Sequence, residues 1–145
     1  MNKVIEIGQQ AKRVFTLGEA NDLLPLIYHL TEESYSESKI VLNQIKAFQQ
    51  YQPKRAAELE IKMQQIVEKW QSKVERLGVQ AQGLWIADFD NGTGYFCWKY
   101  PETKISFYHG YKDGFSGRML ITEDTTKMPS ESGNSERPSE LLTLK

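Results

Sequence analysis

Two residues in the last third of the chain, Cys97 and His109, have side chains that could form a nucleophile and its base. A thiol becomes a strong nucleophile as the thiolate, and a nearby imidazole can produce that form at neutral pH. The strand pairing predicted below places the two side chains on opposite faces of a sheet, although a shift of one residue in a single loop would reverse this. A lone cysteine among aromatic residues is also typical of a small buried hydrophobe. A cysteine hydrolase is therefore the weaker interpretation.

A second candidate site consists of His109, Asp113 and Arg118, with Trp98 and Tyr108 beside it. Interspersed glycines allow the tight turns that would bring an imidazole, a carboxylate and a guanidinium together. Such a group could bind an anion or polarise a carbonyl. In the alternative, which we favour, Asp113 accepts N–H groups of its own turn and Arg118 pairs with Asp113 to lock the loop.

Metal and cofactor sites lack their usual signatures in this sequence. The only other histidine, His29, lies on a predicted helix, and no paired ligand spacing links His109 to Asp88, Asp90 or Glu102. The chain has no P-loop, GxSxG, HExxH or glycine-rich dinucleotide motif. We therefore predict no metal and no cofactor.

The charge and cysteine content of the chain disfavour several classes of protein. With 18 basic and 19 acidic side chains among 145 residues, the formal charge is −1, which disfavours nucleic-acid binding. A single cysteine excludes an intramolecular disulfide and fits a reducing compartment. The apolar patch at the N-terminus is interrupted by Glu6, so we expect neither a signal peptide nor a membrane span. These features predict a cytoplasmic protein that does not bind a membrane.

The first half of the sequence predicts two long helices. Thr16 and Glu19 have the spacing of a capping box at the start of the first helix, and Pro25 is expected to kink it. Pro53 suits the first turn of a second helix, and Gly78 suits its end. Both segments have an apolar stripe at helical spacing and a mixed-charge face. They predict an antiparallel helical hairpin over residues 16–78.

After residue 78 the hydrophobic pattern alternates, which predicts three antiparallel strands over 84–90, 94–100 and 105–109 within a β-meander spanning 83–121. We predict that Asp90 pairs with Thr93 across the first turn and that Tyr100 pairs with Ile105 across the next loop. This register places a nearly uncharged set of side chains on one face, to be buried against the helices. That set comprises Trp85, Ala87, Phe89, Phe96, Trp98, Tyr100, Ile105, Phe107 and His109.

These elements predict one α+β domain over residues 15–121, in which a long N-terminal helical hairpin packs on a small C-terminal antiparallel β-meander. Residues 1–14 are predicted to form a short lead. From residue 122 onward the composition shifts to Thr, Ser, Glu, Pro and Gly, which predicts a disordered tail over 122–145.

Four segments of this domain resemble a bacterial family known as domain of unknown function 2203. They are residues 15–26, 95–99, 107–109 and 114–118, with the sequences FTLGEANDLLPL, YFCWK, FYH and GFSGR. The likeness extends from about residue 14 to 121 in the same order. In that family an acidic residue commonly follows the histidine, where this chain has Gly110, and Asp113 is the nearest substitute. The resemblance implies a cytoplasmic helical hairpin with an aromatic β segment, and it implies no activity and no functional residue.

The sequence leaves two interpretations of the function open. The leading one is a small cytoplasmic interaction or assembly module without catalysis, which associates with itself or with a protein partner through the helical hairpin. The alternative is a small-ligand-binding protein or an unrecognised enzyme that uses His109, Asp113 and Arg118 beside Trp98 and Tyr108. A concentration-dependent mass would favour the first, and loss of ligand binding in Arg118→Ala with unchanged melting would favour the second.

Overall fold

A computed structural model describes residues 13–123 of the chain and confirms the α+β fold. The elements in chain order are helix α1 (Leu17–Phe48), helix α2 (Pro53–Arg76) and strands β1 (Gln80–Gly83), β2 (Ile86–Asp90), β3 (Gly94–Lys99), β4 (Phe107–Gly110) and β5 (Met119–Leu120). A short 3-10 turn, Phe115–Gly117, precedes β5. The predicted lead falls mostly, and the predicted tail almost wholly, outside the described residues. None of the helices in this range has the length and apolar character needed to cross a membrane.

Helix α1 begins with the predicted capping box. The backbone N–H of Glu19 donates to Oγ1 of Thr16 at 3.0 Å, and the backbone N–H of Thr16 donates to Oε1 of Glu19 at 3.0 Å. Just before the cap, the N–H of Phe15 donates to the carbonyl of Asp90 at 2.7 Å, so the start of the helix is joined to the sheet. Pro25 lies within α1, and the kink expected there stays a prediction.

Helix α2 begins at Pro53 and runs to Arg76, followed by Gly78 with a left-handed φ of 85°. Its Trp70 is completely buried, and the indole N–H donates to Oγ1 of Thr31 on α1 at 2.8 Å. The Thr31 hydroxyl in turn donates to the carbonyl of Ile27 at 2.7 Å. Thr31 therefore satisfies a buried indole that would otherwise lack a partner.

The buried apolar side chains form two separate cores. The larger core lies between the sheet and the halves of both helices that are nearest to it, with the fully buried Trp70, Val74, Phe89 and Trp98 among its members. The smaller core contains helical residues only, as far as the described range shows, and is built around Val41, Ile45, Ala56 and Ile66. The sheet therefore covers one half of the hairpin, and the half near the α1–α2 connection is packed helix against helix.

The sheet has five antiparallel strands in the order β1-β2-β3-β4-β5, where we predicted three. The additional strands are β1, which begins before the predicted meander, and the two-residue β5. Trp85 was predicted to lie in a strand, but it occupies the irregular connection from β1 to β2 with a left-handed φ of 62°. Its carbonyl accepts the N–H of Tyr100 at 3.0 Å, and its ring packs edge-on against Trp70 at 5.0 Å. These contacts hold a bulky residue in a conformation that it rarely adopts.

Both predicted strand registers are wrong, but by different amounts. Asp90 pairs with Tyr95 and not with Thr93, a shift of two residues that leaves every side chain of β2 and β3 on its predicted face. Cys97 pairs with Phe107, which differs by one residue from the register set by pairing Tyr100 with Ile105. Phe107 and His109 therefore lie on the face opposite to the predicted one.

The loop over residues 100–106 explains the second error, because it is held by tertiary hydrogen bonds that strand spacing cannot show. The indole N–H of Trp98 donates to the carbonyl of Glu102 at 2.6 Å, and the N–H of Ile105 donates to Oδ1 of Asn21 on α1 at 3.0 Å. Ile105 is thus fixed to the helix and is not paired with Tyr100.

Candidate functional site

Three buried polar side chains meet on the face of the sheet that points away from the helices. Asp88 lies opposite Cys97 on the neighbouring strand, and His109 lies opposite Tyr95, so Asp88, Cys97 and His109 share one face. The neighbours of Asp88 and Cys97 along their strands point to the other face and belong to the core against the helices. They are Ala87, Phe89, Phe96 and Trp98. We call Asp88, Cys97 and His109 the polar cluster. One carboxylate oxygen, the thiol sulfur and one ring nitrogen of these residues all lie within 4.8 Å of one another.

His109 has an acceptor at each of its ring nitrogens. Nε2 lies 3.0 Å from Oδ2 of Asp88, and Nδ1 lies 2.8 Å from the carbonyl oxygen of Gly110. A carbonyl oxygen can only accept, so Nδ1 carries a proton. When the Asp88 carboxylate accepts from Nε2 as well, both nitrogens carry a proton and the ring is an imidazolium. Burial alone would lower the pKa of His109, but these two hydrogen bonds and the charges of Asp88 and Asp113 raise it overall.

Asp88 is an acid buried to 98 % of its surface, since its relative exposure is 2 %. Its Oδ2 faces His109, while its Oδ1 is buried without a hydrogen-bond partner among the described residues. An unpaired buried carboxylate oxygen is rare in proteins because it has lost its water without gaining a donor. Oδ1 therefore has an unused lone pair in a buried position.

Cys97 is a fully buried free thiol beside this carboxylate. Burial raises the pKa of Cys97 far above its usual range, and the negative charge of Asp88 raises it further, against a smaller lowering effect of Arg118. The register places Cys97 and His109 on the same face, contrary to our prediction, yet His109 has no free lone pair to take the thiol proton. This arrangement keeps the thiol protonated and does not activate it as a nucleophile.

The loop over residues 110–118, which we call the covering loop, packs on the same face of the sheet. The ring of Tyr111 lies 5.1 Å from that of Tyr95, and its hydroxyl donates to Oδ1 of Asp90 at 2.7 Å. At the other end of the loop, the guanidinium of Arg118 stacks 3.9 Å from the ring centre of Phe107. The loop thus joins the sheet at both of its ends.

The structure gives His109, Asp113 and Arg118 three different partners. Oδ2 of Asp113 accepts the N–H of Gly110 at 3.2 Å, as the structural alternative predicted. The other half of that alternative is wrong, because Arg118 forms a two-pronged ion pair with Glu102 and not with Asp113.

The two aromatic residues of the predicted site, Trp98 and Tyr108, lie on the helix-facing side of the sheet. Trp98 is fully buried, and Tyr108 is half-buried opposite Phe96. They are therefore separated by the sheet from His109. From the sequence, Asp88 was considered as a metal-ligand partner of His109 and set aside for lack of ligand spacing, although an acid between Ala87 and Phe89 in an apolar strand was a usable signal.

We predict that Glu102→Ala lowers the free energy of unfolding by about 1.5–3 kcal/mol, the usual range for a hydrogen bond to a charged group. Glu102 accepts both from Arg118 and from the backbone N–H of Lys99 at 2.9 Å, and its side chain is 27 % exposed. Urea unfolding would measure the change. The matched control is Glu58→Ala on the exposed face of α2, which should change stability by less than about 0.5 kcal/mol. Equal effects of the two substitutions would contradict the prediction.

Comparison with known proteins gives one match. A family model described as "Uncharacterized conserved protein (DUF2203)" matches residues 13–121, a range that contains every helix and strand described above. No curated protein matches the chain, and no solved structure matches it.

Proposed function

Because the chain belongs to the DUF2203 family, whose description names no activity, we propose a function from the fold: a small, non-catalytic cytoplasmic module that self-associates through its helical hairpin. The surface that carries this proposal is the part of the hairpin over residues 38–66, which we call the distal hairpin. A reducing compartment fits the single, unpaired Cys97.

The observation that carries the proposal is the thin core of the distal hairpin. Its buried apolar side chains are Val41, Ile45, Ala56 and Ile66, and the described sheet does not contribute to this cluster. Two helices without a third layer leave apolar side chains at the surface, and four-helix bundles form when two such hairpins pack together. Large apolar side chains are indeed exposed here, namely Ile40, Leu42, Tyr51 and Ile61.

The polar residues of the distal hairpin favour a second copy of this chain as the partner. A two-fold interface brings the same surface patch together with itself, so its polar groups must be self-complementary. Amide side chains meet this condition because each can both donate and accept. Residues 38–66 contain seven of them: Asn43, Gln44, Gln49, Gln50, Gln52, Gln64 and Gln65.

The test is the mass of the full chain in solution as a function of concentration, measured by sedimentation equilibrium. We expect the mass to rise from 16.7 kDa toward twice that value as concentration increases. Ile61→Glu, at a side chain that is 58 % exposed on α2, should weaken association at least tenfold, or about 1.4 kcal/mol. The matched control is Leu84→Glu, which changes a similarly exposed apolar residue (54 %) outside the hairpin and should leave association unchanged.

Two results would refute the proposal. One is a monomeric wild-type chain at every concentration up to the millimolar range. The other is an equal loss of association in Ile61→Glu and Leu84→Glu, which would move the interface away from the distal hairpin. Circular dichroism of both variants would establish that the helices are intact.

A further inference from the structure

We propose that Asp88, Cys97 and His109 form a binding site for a divalent cation of the zinc type. This proposal is independent of self-association, since the polar cluster lies on the sheet and the distal hairpin does not contribute to it. The sequence prediction of no metal rested on ligand spacing along the chain. That criterion could not detect the cluster, because its three residues come from three different strands, β2, β3 and β4.

The chemical types of the three ligand atoms indicate which metal would bind. A thiolate sulfur, an imidazole nitrogen and a carboxylate oxygen are the three kinds of side-chain ligand that zinc accepts in proteins. Calcium and magnesium prefer sites made wholly of oxygen atoms, so the sulfur of Cys97 disfavours them. Three protein ligands also leave the fourth tetrahedral position for water or another small ligand.

The spacing of the donors is close to that of a zinc site. With bonds of roughly 2.0 Å to nitrogen or oxygen and 2.3 Å to sulfur, ligands of a tetrahedral zinc ion lie about 3.3–3.8 Å apart. The three donor atoms lie within 4.8 Å of one another, and Nε2 of His109 lies 3.0 Å from Oδ2 of Asp88. Three atoms within 4.8 Å of one another share a centre at most about 2.8 Å from each, so movements of less than about 1 Å would reach zinc bond lengths.

Two further features point to a ligand at this place. Oδ1 of Asp88, a buried residue of the cluster, has no hydrogen-bond partner in the described part of the chain. In addition, Nδ1 of His109 faces the carbonyl of Gly110 at 2.8 Å, the arrangement that holds a metal-binding histidine with its other nitrogen directed at the ion. The cluster thus has a carboxylate oxygen with a lone pair that could bind a metal ion, and an imidazole held in a fixed orientation.

Binding would exchange protons for the ion. The Cys97 thiol and Nε2 of His109 each carry a proton in the metal-free protein, and each would lose it to solvent as the new bond to the cation forms. Nδ1 would keep its proton and its bond to Gly110. The ion would then replace the ion pair between His109 and Asp88 and would join β2, β3 and β4 beneath the covering loop.

The experiment titrates the full, chelator-treated protein with Co²⁺ and with Zn²⁺. We expect one equivalent of Co²⁺ to bind with tetrahedral d–d bands and a sulfur-to-cobalt charge-transfer band, which zinc then removes by competition. Release of about two protons per zinc at pH 7, measured in weak buffer, is expected as well. These readouts use the wild-type chain, so they hold even if a cluster variant fails to fold.

Cys97→Ser should abolish the charge-transfer band and weaken zinc binding by at least about 100-fold, because even loss of a residue that only supports a ligand costs roughly 10–100-fold. His29→Ala is the matched control, since it removes the other histidine of the chain, whose side chain is 63 % exposed, and should leave binding unchanged. Absence of the charge-transfer band in the wild type, or equal zinc affinity in Cys97→Ser, would overturn the proposal.

Discussion

Asp88→Ala is expected to lower the free energy of unfolding of the chelator-treated protein by about 3–5 kcal/mol, the range for removing one partner of a buried ion pair. Asp88 and His109 are both almost completely inaccessible to solvent, with side-chain exposures of 2 % and 3 %. Without the carboxylate, Nε2 of His109 loses its hydrogen-bond partner, and the ring must either stay charged in a buried place or give up a proton. Denaturant unfolding followed by circular dichroism measures the change.

Two variants serve as controls for Asp88→Ala. Asp113→Ala removes an exposed acid of the covering loop and should cost far less. The double variant Asp88→Leu/His109→Leu removes both charges, and it should be less destabilised than the sum of the two single variants because neither side chain is left unpaired. Additive single effects would show that the two groups do not interact in solution.

The dependence of stability on pH is a second readout of the same pair. The pKa of His109 is raised in the folded chain, so the folded state binds this proton more tightly than the unfolded state does. The resulting stabilisation is fully present below the ordinary histidine pKa of about 6.5 and is lost as pH rises through the folded value. His109→Gln should flatten this decline in metal-free protein. A stability that rises over the same interval would contradict the assigned imidazolium.

Trp70→Ala is expected to cost about 3–5 kcal/mol, as for other large aromatic residues removed from a core. Trp70 has no exposed surface and lies where helix α2 meets the sheet, with its ring edge-on to Trp85 at 5.0 Å. Truncation would open a cavity in the larger core. Urea unfolding measures the loss, and a cost below about 1 kcal/mol would show that this part of the core can collapse around the smaller side chain.

The hydrogen bond from Trp70 to Thr31 can be separated from ring packing by a double-mutant cycle. Trp70→Phe keeps a large ring but leaves Thr31 without its donor, and Thr31→Val leaves the buried indole N–H unpaired. The double variant removes both polar groups and should be more stable than the sum of the single effects predicts. Strict additivity would mean that the bond does not contribute to stability.

The helices could be predicted from the sequence because their signals are local. The capping box of Thr16 and Glu19, the proline at the start of α2 and the glycine after its end each act within a few residues. For β2 and β3 the side-chain faces were predicted correctly although the register was not, since a shift of two residues leaves each side chain on the same face.

The position of His109 could not be predicted, because it depends on a hydrogen bond between distant parts of the chain. Asn21 on α1 holds the N–H of Ile105, 84 residues away, and this contact contributes to where β4 begins. No local pattern records it. An error of one residue in this loop placed His109 against the helices in our prediction and separated it from Asp88 and Cys97. The polar cluster is therefore a property of tertiary structure.

The fixed loop over residues 100–106 also limits how this fold can vary in length during evolution. A single inserted or deleted residue there would exchange Tyr108 and His109 between the two faces of the sheet, placing a charged ring in the apolar core. The α1–α2 connection has no such constraint, because the two helices that it joins can both lengthen there by whole turns. Insertions and deletions among relatives should therefore collect at the end of the hairpin, and the segment between Lys99 and Phe107 should keep a constant length.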